Sequence, residues 1–378
     1  MKVSGSGRNL KPVIPQGVQC YFGEEVNRRR KVEAVLAGIM KCWGFDEIIL
    51  PFFDYLDDFS HGLGSRLGNE AYIIVDRDGS LLALRPDLTT LVAKTVSTRM
   101  KEHPLPIRLF YSGEVFRQGR SRTGKQKQFY QIGLESIGTG EIWADAEVLL
   151  IAMDCLMRLG VTDFKIALGH AGFFHGIVSG LSLSSEKAAA LREAVDRKDG
   201  AWLRKEVDGL SLSRQKKRFL EELPGLAGGR EILDRAAGIV QNPESRRALD
   251  ALLRIHSVAE KLDLAGRLAF DLAEVRDLAY YTGIVFKIYG NSTGFELGGG
   301  GRYDDLLTKF GWDVPAVGFS FTLDRILPLV KDAGDLVAPS DTAPASSVAA
   351  EAGGMEQAFQ RVWQLRRQGR RVRLLRGD

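Results

Sequence analysis

The chain has 378 residues, a formal net charge of +4 at pH 7, and 44% hydrophobic and 26% charged residues. This length predicts two or three domains, and the composition excludes a chain that is disordered throughout. The charge is too small to indicate nucleic-acid binding by itself. We expect a cytoplasmic protein without a membrane partner, because no apolar signal segment or membrane-spanning run is visible and the three cysteines cannot all pair.

The first predicted elements follow a polar arm over residues 1–20. Apolar residues recur at helical spacing from Val32 to Trp43, and Gly44 supplies a stop signal for this helix. The apolar run EIILPFF at 47–53 is typical of a strand, which a central proline restricts to an edge or an interface. In RPDLTTLVAKTV, Asp87 is a candidate cap for the next helix.

Two strands of a predicted hairpin cover residues 107–117 and 128–138, with a basic, glycine-containing loop between them. The alternation of a strand places Gln131, Gly133 and Glu135 on one face. An amide, a gap and a carboxylate side by side suit a ligand with an ammonium group, and a solvated sheet face is the alternative interpretation.

The end of the first hairpin strand and the following loop carry most of the positive charge of this region. Arg117 could bind a carboxylate or a phosphate through its guanidinium fork, or form a surface ion pair with Glu114 or Glu135. The basic loop, which includes Lys125, fits a phosphate site or a solvated run of charges.

The remaining pattern predicts an α+β fold with an antiparallel sheet flanked by helices. Residues 183–262 have the composition of a small all-helical insert, and strand signals return at 267–272, 283–289 and 316–321. Residues 333–354 are rich in Ala, Ser, Pro and Gly and predict a linker before a last helix.

Two further segments suggest a ligand site. In GGGGRYD at 298–304, four consecutive glycines are not expected in a helix or a central strand, and they favour close approach to a ligand or a sharp turn. The segment EVRDLAYYTGIVF places Arg276, Tyr280 and Tyr281 before a strand, where the tyrosines could form an aromatic lid or line the rim of the core. The five scattered histidines make a metal site or a serine-hydrolase triad improbable.

In their order, these segments resemble the core of class II aminoacyl-tRNA synthetases, and of histidyl-tRNA synthetase in particular. Residues 47–54 resemble motif 1, residues 116–135 resemble motif 2, and residues 316–326, with Arg325, resemble motif 3. The segments with the paired tyrosines and the four glycines are similar to the two histidine-recognition segments. The resemblance covers residues 15–330 and implies the class II fold over a core of 1–332.

Departures from the synthetase pattern fall on its ATP side in motif 2 and in one histidine-recognition segment. Gly119 stands where the synthetase has an acidic residue, Lys125 replaces an arginine, and Ala279 replaces an aspartate. Only a short remnant at 355–378 resembles the start of an anticodon-binding domain. This combination resembles the ATP phosphoribosyltransferase regulatory subunit family, which are paralogues of the synthetase. The alternatives are a truncated histidyl-tRNA synthetase and a paralogue for another amino acid.

That resemblance implies a non-catalytic subunit of histidine biosynthesis that acts as a homodimer within a hetero-oligomer. Its partner would be a short-form catalytic ATP phosphoribosyltransferase, its effector L-histidine, and it would need neither a cofactor nor nucleic acid. Glu135, with Asp87 and Thr89, would hold the ammonium, while Arg117 and Gln131 would face the carboxylate. The histidine-binding set is completed by Arg276, Tyr280, Tyr281 and Tyr303, with Gly298, Gly299, Gly300 and Gly301 for close backbone approach and with Lys125 and Arg325 on the residual ATP side.

Overall fold

A computed structural model describes residues 14–63, 70–118, 126–179, 181, 183–209, 214–274, 281–291, 294–331, 333–339, 346–350, 354–368 and 370–376. Its helices are α1 Glu24–Cys42, α2 Leu56–Leu63, α3 Thr89–Arg99, α4 Ile142–Arg158, α5 Ala171–Ser179, α6 Ser185–Asp196, α7 Gly200–Asp208, α8 Arg214–Glu222, α9 Arg230–Ala237, α10 Pro243–Lys261, α11 Asp305–Thr308, α12 Leu323–Ile326 and α13 Met355–Arg367. Within the described ranges, no helix has the length and hydropathy that a membrane crossing requires.

The strands are β1 Asp46–Glu47, β2 Phe53–Tyr55, β3 Ile73–Val75, β4 Leu81–Leu84, β5 Ile107–Phe116, β6 Gln128–Ile137, β7 Phe164–His170, β8 Ala227–Gly228, β9 Leu268–Asp271, β10 Ile284–Gly290, β11 Glu296–Arg302, β12 Ala316–Thr322, β13 Ser346–Ala350 and β14 Val372–Arg376. Nine of them form one sheet in the order β1-β5-β6-β12-β11-β10-β7-β9-β8. The α+β prediction is confirmed. The sheet is mixed, however, because β1 pairs with β5 and β7 pairs with β9 in parallel.

The two faces of the large sheet pack against separate hydrophobic clusters. Ile132 and Leu134 of β6 join the larger cluster with α1 and α4, while Tyr111 of β5 belongs to the other cluster with α3. The alternation predicted for the hairpin is therefore confirmed. The face that carries Gln131 and Glu135 is buried, so the solvated-face alternative is wrong.

The four glycines lie in β11, a central strand between β10 and β12, and the expectation that they would not form one is wrong. A Cβ at Gly300 would lie 2.1 Å from the carbonyl oxygen of Gly318, and one at Gly301 would lie 2.3 Å from that of Ile284. Because both neighbouring backbones approach this closely, the strand excludes side chains at these positions. The close packing of the backbones within the sheet therefore requires glycine at these positions.

The predicted strand at 47–53 is wrong over its middle, since β1 ends at Glu47 and β2 begins at Phe53. Between them, the Arg85 guanidinium donates from Nη1 to the carbonyl oxygens of Leu50 and Pro51 at 2.8 and 3.1 Å. The Arg85 side chain thus satisfies the carbonyls in the middle of the stretch, whereas at its ends the Ile48 N–H donates to Phe110 of β5 and the Phe52 carbonyl accepts from the Arg85 N–H, each at 2.9 Å. Helix α1, in contrast, is confirmed and ends before Gly44, whose φ is 82°.

The predicted insert contains helices α6 to α10, and among its described residues the two-residue strand β8 is the exception to the all-helical prediction. Strand β8 pairs antiparallel with β9 at the edge of the sheet. Strand β13 lies within the predicted linker 333–354 and pairs in parallel with β14, so residues 346–350 are not a linker. The last helix, α13, packs on the core through Trp363, whose ring centroid lies 6.3 Å from that of Trp43.

Candidate functional site

The centre of the candidate site is the carboxylate of Glu135, on strand β6 in the middle of the sheet. Its side chain is almost fully buried, with 1% of its surface exposed. Oε1 accepts a hydrogen bond from the Tyr111 hydroxyl at 2.9 Å, and Oε2 accepts one from the Tyr303 hydroxyl. Tyr111 of the neighbouring strand β5 and Tyr303, which directly follows β11, thus fix the orientation of one buried carboxylate.

Two glycines, one on β6 itself and one on the neighbouring strand β12, create the space that Glu135 and Tyr111 occupy. Gly318 of β12 lies opposite Glu135 in the sheet register, and a Cβ there would lie 1.6 Å from Oε2. At Gly133, a Cβ would lie 2.8 Å from the Tyr111 hydroxyl oxygen. Any side chain at these positions would displace the carboxylate or the tyrosine that holds it.

A second carboxylate lies at the start of helix α3. Asp87 is buried, and its Oδ1 accepts a hydrogen bond from the Thr90 backbone N–H at 2.8 Å, as predicted for a residue that caps this helix. Thr89 lies between the two carboxylates, with its Oγ1 3.3 Å from the Tyr111 hydroxyl. Asp87, Thr89 and Glu135 therefore belong to one polar cluster, as the resemblance implied.

Arg117 ends the first strand of the hairpin beside this cluster. Its Nε donates to the carbonyl oxygen of Pro86 at 2.7 Å, and its guanidinium carbon lies 5.4 Å from the centroid of the Phe129 ring. Arg117 forms no ion pair with Glu114 or Glu135, which the structure also describes, so the surface ion-pair alternative is wrong. The guanidinium instead is held at the end of the site where Asp87 lies.

Neither carboxylate of the cluster forms an ion pair among the described residues, although the Arg117 guanidinium lies near Asp87. Burial raises the pKa of Glu135 to about 7, although hydrogen bonds from Tyr303, Thr89 and Tyr111 oppose the rise. Burial also raises the pKa of Asp87, where the Thr90 N–H and the nearby Arg117 guanidinium oppose it. Both carboxylates would be stabilised in their charged form by a cationic ligand.

The other predicted site residues lie around this centre or outside the described ranges. Gln131 is buried, and its Nε2 donates to Ser320 Oγ at 3.4 Å. The Tyr281 ring packs on the backbone of Gly301, where a Cβ would lie 2.8 Å from it. Arg325 is exposed and donates from Nη1 to the Glu296 carbonyl oxygen at 2.6 Å. The predicted residues Arg276, Tyr280 and Lys125, and Gly119 with them, lie outside the described residues.

Sequence reasoning missed two residues of this region. Tyr111 lies directly opposite Gly133 in the pairing of β5 with β6, so the period-two pattern of β5 could have placed it on the site face. Arg85 is buried, and besides its contacts with the motif-1 segment it donates from Nε to the Glu114 carbonyl oxygen at 2.6 Å. No local pattern marks Arg85, because all these partners are distant in sequence.

The mixed sheet, the hairpin that carries Glu135 and the central glycine strand define a protein of the histidyl-tRNA synthetase fold. The family model described as histidyl-tRNA synthetase matches residues 17–326. A solved structure of an ATP phosphoribosyltransferase regulatory subunit/histidyl-tRNA synthetase from Bacillus halodurans superposes with a TM-score of 0.78 at 29% identity, covering 97% of this chain and 94% of that chain.

Curated relatives narrow this class. The ATP phosphoribosyltransferase regulatory subunit of Syntrophotalea carbinolica is 40% identical over 83% of this chain and 74% of its own length. That of Desulforamulus reducens is 36% identical over 95% of this chain and 88% of its own length. The chain belongs to the ATP phosphoribosyltransferase regulatory subunit family. The predicted family, the fold class and the interpretation as a regulatory rather than a catalytic subunit are thereby confirmed.

Proposed function

We propose that this chain binds L-histidine in the pocket around Glu135 and thereby controls a catalytic ATP phosphoribosyltransferase subunit in the first step of histidine biosynthesis. The observation that carries the proposal is the buried Glu135 carboxylate, which two tyrosines orient and which has no ion-pair partner among the described residues. A cationic or N–H-bearing ligand would supply the missing partner. The relatives' names, which describe regulation of this enzyme, support the same conclusion.

The positions of the charged groups support a division of the ligand between two ends of the pocket. In free histidine, the ammonium and the carboxylate leave the same carbon atom and need adjacent partners. Asp87 and Arg117 are electrostatic neighbours, so together they suit this zwitterionic end. We therefore assign the ammonium to Asp87 and Thr89. The resemblance implied that Glu135 holds the ammonium as well, and we instead assign Glu135 to another part of the ligand.

Glu135 is buried between Tyr111 and Tyr303. With the zwitterionic end assigned to Asp87 and Arg117, the group of histidine that remains for Glu135 is the imidazole ring, whose N–H can donate to a carboxylate. Glu135 would then select a ring with an N–H donor over an apolar ring of similar size, because the apolar ring would leave the buried carboxylate without its partner.

The assembly that we propose is a homodimer that recruits a short-form catalytic subunit. Support comes from a group of exposed apolar side chains in and beside the motif-1 segment: Ile49 is 91% exposed, and Phe52, Phe53 and Tyr55 are each more than half exposed. An apolar patch of this kind marks an interaction surface, and a two-fold interface uses the same patch on both copies. We place this assembly in the cytoplasm and assign it no cofactor.

Calorimetry with L-histidine tests the ligand proposal, on the purified chain and on its complex with the catalytic subunit. Glu135→Gln should weaken binding by about tenfold or more, since it removes a charged acceptor from a buried hydrogen bond. The exposed Glu206 on α7 provides the matched control, and Glu206→Gln should bind like wild type. L-histidinol, which lacks the carboxylate, should also bind more weakly, and this loss should be absent in an Arg117→Ala background.

Enzymatic rates test the coupling. Histidine should inhibit the complex that contains wild-type regulatory subunit, and Glu135→Gln should shift this inhibition to higher histidine by a factor related to its binding defect. Activity without histidine should be the same in both complexes. Failure of the complex to bind millimolar histidine, or equal affinity of wild type and Glu135→Gln, would contradict the proposal.

A further inference from the structure

A cavity lies on the opposite face of β6 from Glu135, and the function proposed above makes no use of it. It has a volume of about 260 Å³ and lies between the arm, the first half of α1, the ends of β5 and β6, and the start of α12. We call it the α1 cavity. Its lining includes Tyr21, Glu114, Phe129 and Tyr130. Glu114 and Tyr130 are cross-strand partners, at positions that face away from the Glu135 pocket.

Both arginines that line the α1 cavity are already paired. Arg29 contacts Asp324 at 2.5 Å, and Arg30 contacts Glu33 at 2.7 Å. Asp324 also accepts hydrogen bonds from the Tyr21 hydroxyl at 3.1 Å and from a backbone N–H of β6 at 2.9 Å. These pairs neutralise each other, so the cavity offers no spare positive charge to an anion.

One lining carboxylate is left over. The Glu114 side chain has no ion-pair or hydrogen-bond partner among the residues that the structure describes, although its backbone carbonyl oxygen binds Arg85. Glu33, in contrast, also accepts hydrogen bonds from Ser112 and from the Tyr130 hydroxyl. Among the charged side chains that line the cavity, Glu114 is therefore the one without an ion-pair partner, and the Arg85 guanidinium, which interacts with its charge, does not line the cavity.

The residues that line the α1 cavity indicate which kind of cation it can bind. In the described parts of the chain, no group of three or more His, Cys, Asp or Glu side chains has metal-binding geometry, which disfavours a bare metal ion. The Tyr130 ring lines this space, and the Tyr21 ring lies there against the Arg29 guanidinium, whose carbon is 4.0 Å from the ring centroid. Aromatic rings stabilise organic cations and pack against alkyl chains. The Phe129 side chain projects to the other face of β6, where it contacts Arg117. Burial, together with the carboxylate neighbours, raises the pKa of Tyr130 to about 12, as a negative site should.

We infer that the α1 cavity binds an organic cation, an ammonium or guanidinium group on an alkyl chain, with Glu114 as its counter-charge. A volume of about 260 Å³ accommodates a group of amino-acid size and is too small for a nucleotide. Such a group belongs either to a free amine or to a basic side chain of the catalytic subunit. The two sources share the same chemistry, and the experiment separates them.

The first arm measures agmatine binding to the full chain by calorimetry, with hexanol as the uncharged probe. Agmatine should bind, hexanol should not, and Glu114→Gln should weaken agmatine binding by about tenfold or more. The control Glu206→Gln should bind agmatine like wild type. Equal agmatine affinity of wild type and Glu114→Gln would overturn the assignment of Glu114.

The second arm measures the affinity of the catalytic subunit for the same variants. If agmatine does not bind, a loss of about tenfold or more in this affinity for Glu114→Gln identifies a basic side chain of that subunit as the occupant. Absence of agmatine binding together with unchanged affinity for the catalytic subunit overturns the inference. Histidine binding should be normal in Glu114→Gln throughout, so this result is independent of the proposed function.

Discussion

The buried Glu135 carboxylate predicts an unusual dependence of stability on pH. Burial raises its pKa in the folded protein to about 7, from 4.5 when it is exposed. Below pH 4.5 the group is protonated in both states, and its burial is not penalised. As the pH rises through 7, the folded protein must hold a buried charge, so the stability present at low pH is lost. Replacement by the neutral amide in Glu135→Gln removes this loss.

The magnitude follows from the difference between the two pKa values of Glu135. It corresponds to about 3 kcal/mol when the charge is fully developed in both states, and to about 2–3 kcal/mol between pH 5 and pH 8. The free energy of unfolding of Glu135→Gln relative to wild type should therefore rise by that amount over this interval. Any loss of hydrogen-bond quality at the amide adds an offset that does not depend on pH.

Urea unfolding of the ligand-free chain at several pH values between 5 and 8 measures this difference. All other titrating groups are common to both proteins, so they cancel in the comparison. The exposed control Glu206→Gln should follow wild type at every pH. Two results would refute the reasoning. The free energies of unfolding of wild type and Glu135→Gln could change in parallel with pH, or wild type could become more stable relative to the variant as the pH rises.

Four further outcomes are expected. Gly318→Ala should destabilise the chain by about 1–3 kcal/mol or more in thermal melts and weaken histidine binding, because its Cβ would lie 1.6 Å from Glu135 Oε2, whereas Gly266→Ala, with nothing within 4 Å, should do neither. Arg366→Ala should lower the free energy of unfolding in urea by about 1–3 kcal/mol, since it removes one of the two arginines that pair with the buried Glu147 while Arg108 stays paired with it. Ile49→Asp should shift the chain from dimer to monomer in analytical ultracentrifugation, because it charges the most exposed apolar side chain of the proposed interface. The purified chain should form no histidyl-tRNA above a protein-free control, because the ATP side departs from the synthetase pattern.

Local patterns predicted the parts of the site that depend on one strand or one helix turn. The alternation in β6 correctly placed Gln131 and Glu135 on one face, because strand geometry forces successive side chains to opposite sides. The cap at Asp87 was predictable for the same reason, since its partner Thr90 is three residues away. Neither inference required knowledge of other segments.

What the sequence could not predict depends on contacts between distant segments. The glycine strand was misjudged because a run of glycines has no side chains to reveal how closely the neighbouring backbones approach. The docking of α13 was missed because Arg366 meets its partners, Glu147 and the Trp43 ring, across more than two hundred residues. A linker-like composition also concealed β13, whose partner β14 follows only after a helix.

The arrangement around Glu135 makes most sense as one that is completed by a ligand. A purely structural role between Tyr111 and Tyr303 could be filled by an amide, without a buried charge that destabilises the fold by about 3 kcal/mol above pH 7. The glycines at 133 and 318 leave room for the carboxylate and for the tyrosine that binds it, although a glycine gives a central strand no side chain to pack. A ligand that supplies a donor or a positive charge would reduce the cost of burying the charge, and the free energy recovered in this way would contribute to its affinity. A regulatory protein needs this property, because the free energy difference between empty and filled pocket is the quantity that it can transmit to its partner.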